Sequence, residues 1–159
     1  MTLKYKQILI AVDGSDGAHY AFRKSVEIAK RNNAVLNLIY VVDTRSSMVM
    51  TKRIPDPTNA FTEYGKELLE DYKKEALETG VLEVKTFVAP GSPKTVISHE
   101  YAKRVNADLI VCGAQGLNAL EHFFMGSVSE HIVRSSSCDV LVVRKVDSKK
   151  AEGQIKTEL

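Results

Sequence analysis

Ala107-Asp-Leu-Ile-Val-Cys112, followed by Gly113-Ala-Gln-Gly116, nine further residues and Gly126-Ser127, is the stretch that decides how this 159-residue chain reads. The first six residues are an apolar run of strand length. The run stops at a glycine-punctuated segment, and a helical pattern begins at Val128. Strand, loop and helix start, in that order, build an anion site. Glycine lets a backbone approach a ligand closely and reach positive φ. The first N–H groups of the next helix lack partners within it, and the positive end of the helix dipole lies among them. A phosphate chain suits such a site, so the segment reads as a nucleotide-binding loop. A purely structural reading stands beside it. Ser127 and Glu130 have the S-x-x-E spacing of a capping box, which stabilises a helix start without any ligand.

Outward from this segment, strands and helices alternate. Residues 7–12 (Gln-Ile-Leu-Ile-Ala-Val) read as a buried strand ending at Asp13-Gly14-Ser15-Asp16, which combines turn residues with a helix cap. Ala18, Ala21, Phe22, Ser25, Ile28 and Ala29 repeat at helical spacing. Residues 34–42 are a second strand. Residues 43–58 are irregular, carry Arg45, Lys52 and Arg53, and end in Pro55-Asp56-Pro57. A loop of that length in a compact domain is usually functional or disordered. A helix is expected over 59–79, with Phe61, Tyr64, Leu68, Tyr72 and Ala76 as a packing face. Gly80 closes it. Residues 82–88 alternate and suit a half-exposed edge strand. Ser92-Pro93 opens the next helix. Residues 107–112 and 140–144 are the last two strands, separated by the glycine loop and a helix over 128–135. From Val146 onward the chain is a polar tail, so one domain is expected over 1–145 and a frayed end over 146–159.

This alternation implies a parallel α/β sheet. Right-handed crossovers leave few arrangements. Strand 3 looks like an edge, which selects a five-stranded doubly wound sheet in the order 3-2-1-4-5. The order reverses between strands 1 and 4, and ligands of such sheets bind outside the carboxyl ends of the strands there. The loops at that point are Asp13-Gly14-Ser15 and 113–127. Motif and topology thus select one place by separate arguments.

Composition excludes other classes. Apolar residues make up 44% and charged residues 26%, which is ordinary for a globular domain. No apolar run is long enough for a bilayer. Residues 1–7 lead into a strand with no signal-peptide pattern, so a cytoplasmic location is expected. The net charge of +2 offers no basic stripe for nucleic acid or a membrane surface. Cys112 and Cys138 fall at opposite ends of neighbouring parallel strands, too far apart to bridge, so two free thiols are expected. A Walker A motif around Gly91-Ser-Pro-Lys94-Thr95 fails on spacing. G-x-G-x-x-G, H-E-x-x-H, C-x-x-C and G-x-S-x-G are absent.

Over about residues 4–145 the chain resembles the nucleotide-binding branch of the universal stress protein family. The resemblance rests on Ile8-Leu-Ile-Ala-Val-Asp13-Gly-Ser15, on Gly113-x2-Gly116-x9-Gly126-Ser127 and on Val140-Leu-Val-Val143. It implies an adenine nucleotide alpha hydrolase-like fold and a regulatory role in the stress response with little turnover. Asp13 would contact the ribose or the adenine edge, Ala11 would lie beside the base, and Val41 would pack on adenine. Gly113, Gly116, Gly126, Ser127 and Val128 would line the phosphates through backbone N–H groups, with Ser129 a further candidate. ATP, ADP or AMP would be the cofactor, and the last strand would pair across a two-fold axis in a homodimer.

The chain departs from the family pattern in the spacer. Leu117-Asn-Ala-Leu-Glu-His-Phe-Phe-Met125 contains Glu121 and His122 but no Arg or Lys, where many relatives carry basic residues. A helix dipole of roughly half a charge cannot neutralise a triphosphate. Mg2+, Arg45, Lys52, Arg53 or solvent would have to help, which makes AMP or ADP plausible. Two other functions fit the same fold: a slow nucleotide hydrolase using His122 as acid or base, and a nucleotide-independent dimeric interaction module. Asp13 also has a bland reading as a cap for the first helix.

Overall fold

The computed structural model describes residues 3–45, 55–115 and 125–145. Five parallel strands form one sheet in the order β3-β2-β1-β4-β5, as the sequence pattern implies. β1 is Gln7–Ala11, β2 Val35–Asp43, β3 Val84–Gly91, β4 Leu109–Gly113 and β5 Asp139–Val143. The helices are α1 (Asp16–Asn32), α2 (Pro57–Thr79), α3 (residues 93–104) and α4 (Ser127–Ser135).

Local chemistry explains the boundaries. Ser15 caps α1 by accepting the Ala18 N–H at 3.2 Å, and Asn33, at φ 53°, ends it in the left-handed conformation. α2 starts before the expected residue 59. Asp56 accepts the Asn59 N–H at 3.2 Å, and Pro57 takes the first helical position, where its missing N–H costs nothing. β3 runs on to Gly91, past the expected residue 88, because it pairs with β2 along its whole length. Its Pro90 has no N–H to donate, which an outer strand tolerates. α3 contains a wide π-helical turn at Val96–Tyr101 between ordinary turns.

The sheet separates two apolar layers. Alternation along β1 sends Ile8 and Ile10 to one face and Leu9 to the other, all three fully buried. α1 and α2 cover the first face through Phe22, Val26, Leu69 and Tyr72. α3 and α4 cover the second through Val96, Ile97 and Ile132. Each buried large side chain contributes about 1.5–3 kcal/mol. Of the expected α2 stripe, Tyr72 and Ala76 are buried, Phe61 and Leu68 pack partly, and Tyr64 stays exposed.

The two outer strands differ. β3 carries exposed Lys85 and Pro90. In β5 only Asp139 is exposed, and Val140, Leu141, Val142 and Val143 are half-buried. Both cysteines are free thiols, as expected.

Candidate functional site

The carboxyl ends of β1 and β4, adjacent in the sheet, carry the two loops expected to meet. The contact seen joins the exit of β4 to the first turn of α1, through glycine. Gly113 ends β4, and a Cβ there would lie 2.9 Å from the backbone C and O of Gly17 in the first turn of α1. A Cβ on Gly17 would in turn lie 2.5 Å from the Gln115 carbonyl oxygen. Only hydrogen at both positions lets the β4 exit lie against α1. Gly17 was not among the expected site residues, although a glycine in the first turn of a helix is a readable sign of close packing.

On the β1 side, the turn is closed upon itself. Asp13 Oδ1 accepts the Ser15 N–H at 2.9 Å, and Ser15 then caps α1. Asp13 is therefore an Asx-turn residue two positions ahead of the helix, and the cap is Ser15. Gly14 sits at φ +82°, and the hydroxyl of Tyr64 fills the space that a Gly14 side chain would occupy. Tyr64 stacks edge-on against Tyr40 at 5.7 Å. Burial, with Tyr64 and Asp13 nearby, raises the Tyr40 phenol above its ordinary value. Nothing local in the sequence marks Tyr64 as a neighbour of the turn, because the contact joins positions fifty residues apart.

Ala11 and Val41 lie on the sheet face covered by α3 and α4, both partly buried. Cys112 lies on the same face at the end of β4, and burial pushes its thiol up to about 11. Asp43 ends β2 and accepts the Arg45 N–H at 3.0 Å.

On the β4 side, the expected capping box does not form. α4 begins one residue earlier than the pattern implies, with Gly126 as the cap and Ser127 as the first helical residue. From that position Ser127 cannot serve as the cap, and Glu130 instead pairs with Arg134 at 2.7 Å. Among the described residues, no side chain caps this helix start. Its first N–H groups, at Ser127, Val128 and Ser129, lack intrahelical partners by the geometry of any helix. Gly126 itself is held by its N–H donating to Ala114 O at 2.7 Å. Ser127 is exposed, Val128 half-buried and Ser129 buried, its hydroxyl donating to Gly113 O at 2.6 Å. Gly116, Glu121, His122, Lys52 and Arg53 lie outside the described residues, as does the 146–159 tail. His131 is half-buried, and its Nε2 has no hydrogen-bond partner among the described residues.

Fold and site define a class: a doubly wound α/β domain whose two strand-to-helix junctions at the switch point carry, in one, a carboxylate turn and, in the other, a helix start with no side-chain cap among the described residues. The chain belongs to the universal stress protein family, whose model matches residues 4–144. It is 49% identical over 142 residues to a universal stress protein of Staphylococcus saprophyticus, covering 89% of this chain and 85% of that one. Among solved structures it is similar to the universal stress protein UspA from Lactobacillus plantarum. That match has a TM-score of 0.81 and 32% identity, and spans 90% of this chain and 100% of the other. A universal stress protein in complex with cAMP matches at a TM-score of 0.63 and 27% identity, over 89% of this chain and 98% of that one.

Proposed function

We propose that the chain is a cytoplasmic regulatory protein of the stress response that binds an adenine nucleotide and turns it over slowly at most. The observation that carries this reading is the start of α4, uncapped among the described residues and following β4, the sheet neighbour of the strand that precedes Asp13. An anion there gains backbone donors and the positive end of a helix dipole. Ala11 and Val41 offer a small apolar surface for the base on the same face. Asp13, whose Oδ1 holds the turn, would contact a ribose hydroxyl through its other oxygen. The structurally similar protein in complex with cAMP supports an adenine ligand. Because the spacer 117–125 has no Arg or Lys, AMP and ADP are favoured, and ATP would call on Mg2+ or the basic residues of 45–53. Calorimetric titration with ATP, ADP and AMP tests the reading. Absence of heat with all three at millimolar concentration, on folded protein, overturns it.

The half-buried β5 also supports a homodimer formed through that strand, since an apolar outer strand otherwise invites uncontrolled pairing. Sedimentation at tens of micromolar is expected to give a dimer, and monomer alone would remove this part.

A further inference from the structure

We propose that Ser129 is a positioning residue, whose hydroxyl latches the open helix start to the end of β4 and does not itself touch the ligand. The proposal deepens the nucleotide reading above and rests on it. Other hydroxyls within the described helices donate locally, three or four residues back: Ser25 to Phe22, Thr95 to Ser92, Thr62 to Thr58, Thr79 to Glu75, Ser98 to Lys94 and Ser135 to His131. Ser129 instead crosses the loop. It donates to Gly113 O at 2.6 Å, sixteen positions away in sequence.

A serine hydroxyl has one proton. Here that proton is committed to the Gly113 carbonyl, so none is left for a phosphate oxygen. The Gly113 end of the latch is rigid, because its Cα lies against the backbone of Gly17 and Ala18. A second tie, Gly126 N–H to Ala114 O, crosses the same neck. The amides of 127–129 are thereby held in place whatever path residues 116–124 take. A site ordered before the ligand arrives loses less conformational freedom on binding.

The test uses nucleotide-free protein first, then ligands. Hydrogen exchange is followed at Gly126 and Glu130, whose amides bond across and along the neck. Ser129→Ala is expected to speed both, Ser129→Thr to restore them, and Ser127→Ala to leave them unchanged. Calorimetry then compares AMP with adenosine. Ser129→Ala is expected to weaken AMP about tenfold, the effect of one buried hydrogen bond, and to leave adenosine unaltered. Unchanged exchange in Ser129→Ala overturns the latch, and an AMP loss without faster exchange makes Ser129 a direct ligand contact instead. Equal losses for AMP and adenosine report general destabilisation and also overturn it. If the wild type binds neither compound, the nucleotide reading fails and the ligand half of this proposal with it, while the exchange data still decide whether the latch exists.

Discussion

The start of α1 and the start of α4 are chemically alike and structurally opposite. Each follows a strand at the carboxyl end of the sheet, and each has glycine and serine at the junction. At α1 the side chains turn inward: Ser15 takes the Ala18 N–H and Asp13 takes the Ser15 N–H. At α4 the cap is a glycine and the nearest buried hydroxyl is spent across the loop. The first helix start is sealed by its own residues, and the second has no side-chain cap among the described residues. Two neighbouring strand-to-helix junctions can thus share their residue types and use them differently, one closing its own helix start and the other tying the helix across to the preceding strand.

The contrast can be broken at its hinge. Gly113→Ala places a methyl 2.9 Å from the Gly17 backbone, and backbone has little room to yield. It should cost about 1–3 kcal/mol, as overpacking does, and misplace both junctions. Urea unfolding together with AMP titration would show both losses. A native midpoint in this variant would mean that the close approach is not needed.

A sharper intervention converts the open junction into a sealed one. Gly126 has extended backbone at φ −62° and ψ 155°, which any cap residue can adopt. Gly126→Asp should leave stability equal or raise it by a few tenths of a kcal/mol. It should weaken AMP by about tenfold or more, since a carboxylate would then take the donors meant for phosphate. Ser15→Ala is the mirror experiment, expected to lose about 1 kcal/mol of stability with adenosine affinity nearly intact. If the two variants exchanged their effects, the division of labour would be wrong.

The smallest effect concerns the floor between the junctions. Burial raises the Cys112 thiol from 9.0 to about 11. A raised pKa means that the folded state holds the proton more tightly. The associated stability is complete below pH 9 and is lost as pH climbs toward 11. Wild type should therefore lose more stability than Cys112→Ala between these limits, by matched denaturation curves at each pH. Parallel curves would show that the thiol titrates alike in both states.

Much of this architecture was readable before any coordinates. Val, Ile and Leu runs alternating with amphipathic repeats implied parallel strands, and the weaker pattern of residues 82–88 put strand 3 at the border. The strand order also followed, and with it the place of the proposed site at the carboxyl ends of β1 and β4. What the residues did not disclose was long-range. Whether Ser127 or Gly126 caps α4 depends on the tie from Gly126 to Ala114, which no local pattern records. The partner of Ser129 lies across the loop, and the contacts of Gly17 and Tyr64 join distant segments. Asp13 could be read as a cap because Asp suits both roles; only the neighbouring Ser15 decides between them.

The unequal borders of the sheet also limit polymerisation. A proline and a protruding lysine discourage any addition beyond β3, while β5 remains receptive. Copies joining through β5 about a two-fold axis would consume each other's receptive border, and the blunted borders would end the stack. Such an assembly would terminate at two chains and could not grow into fibres.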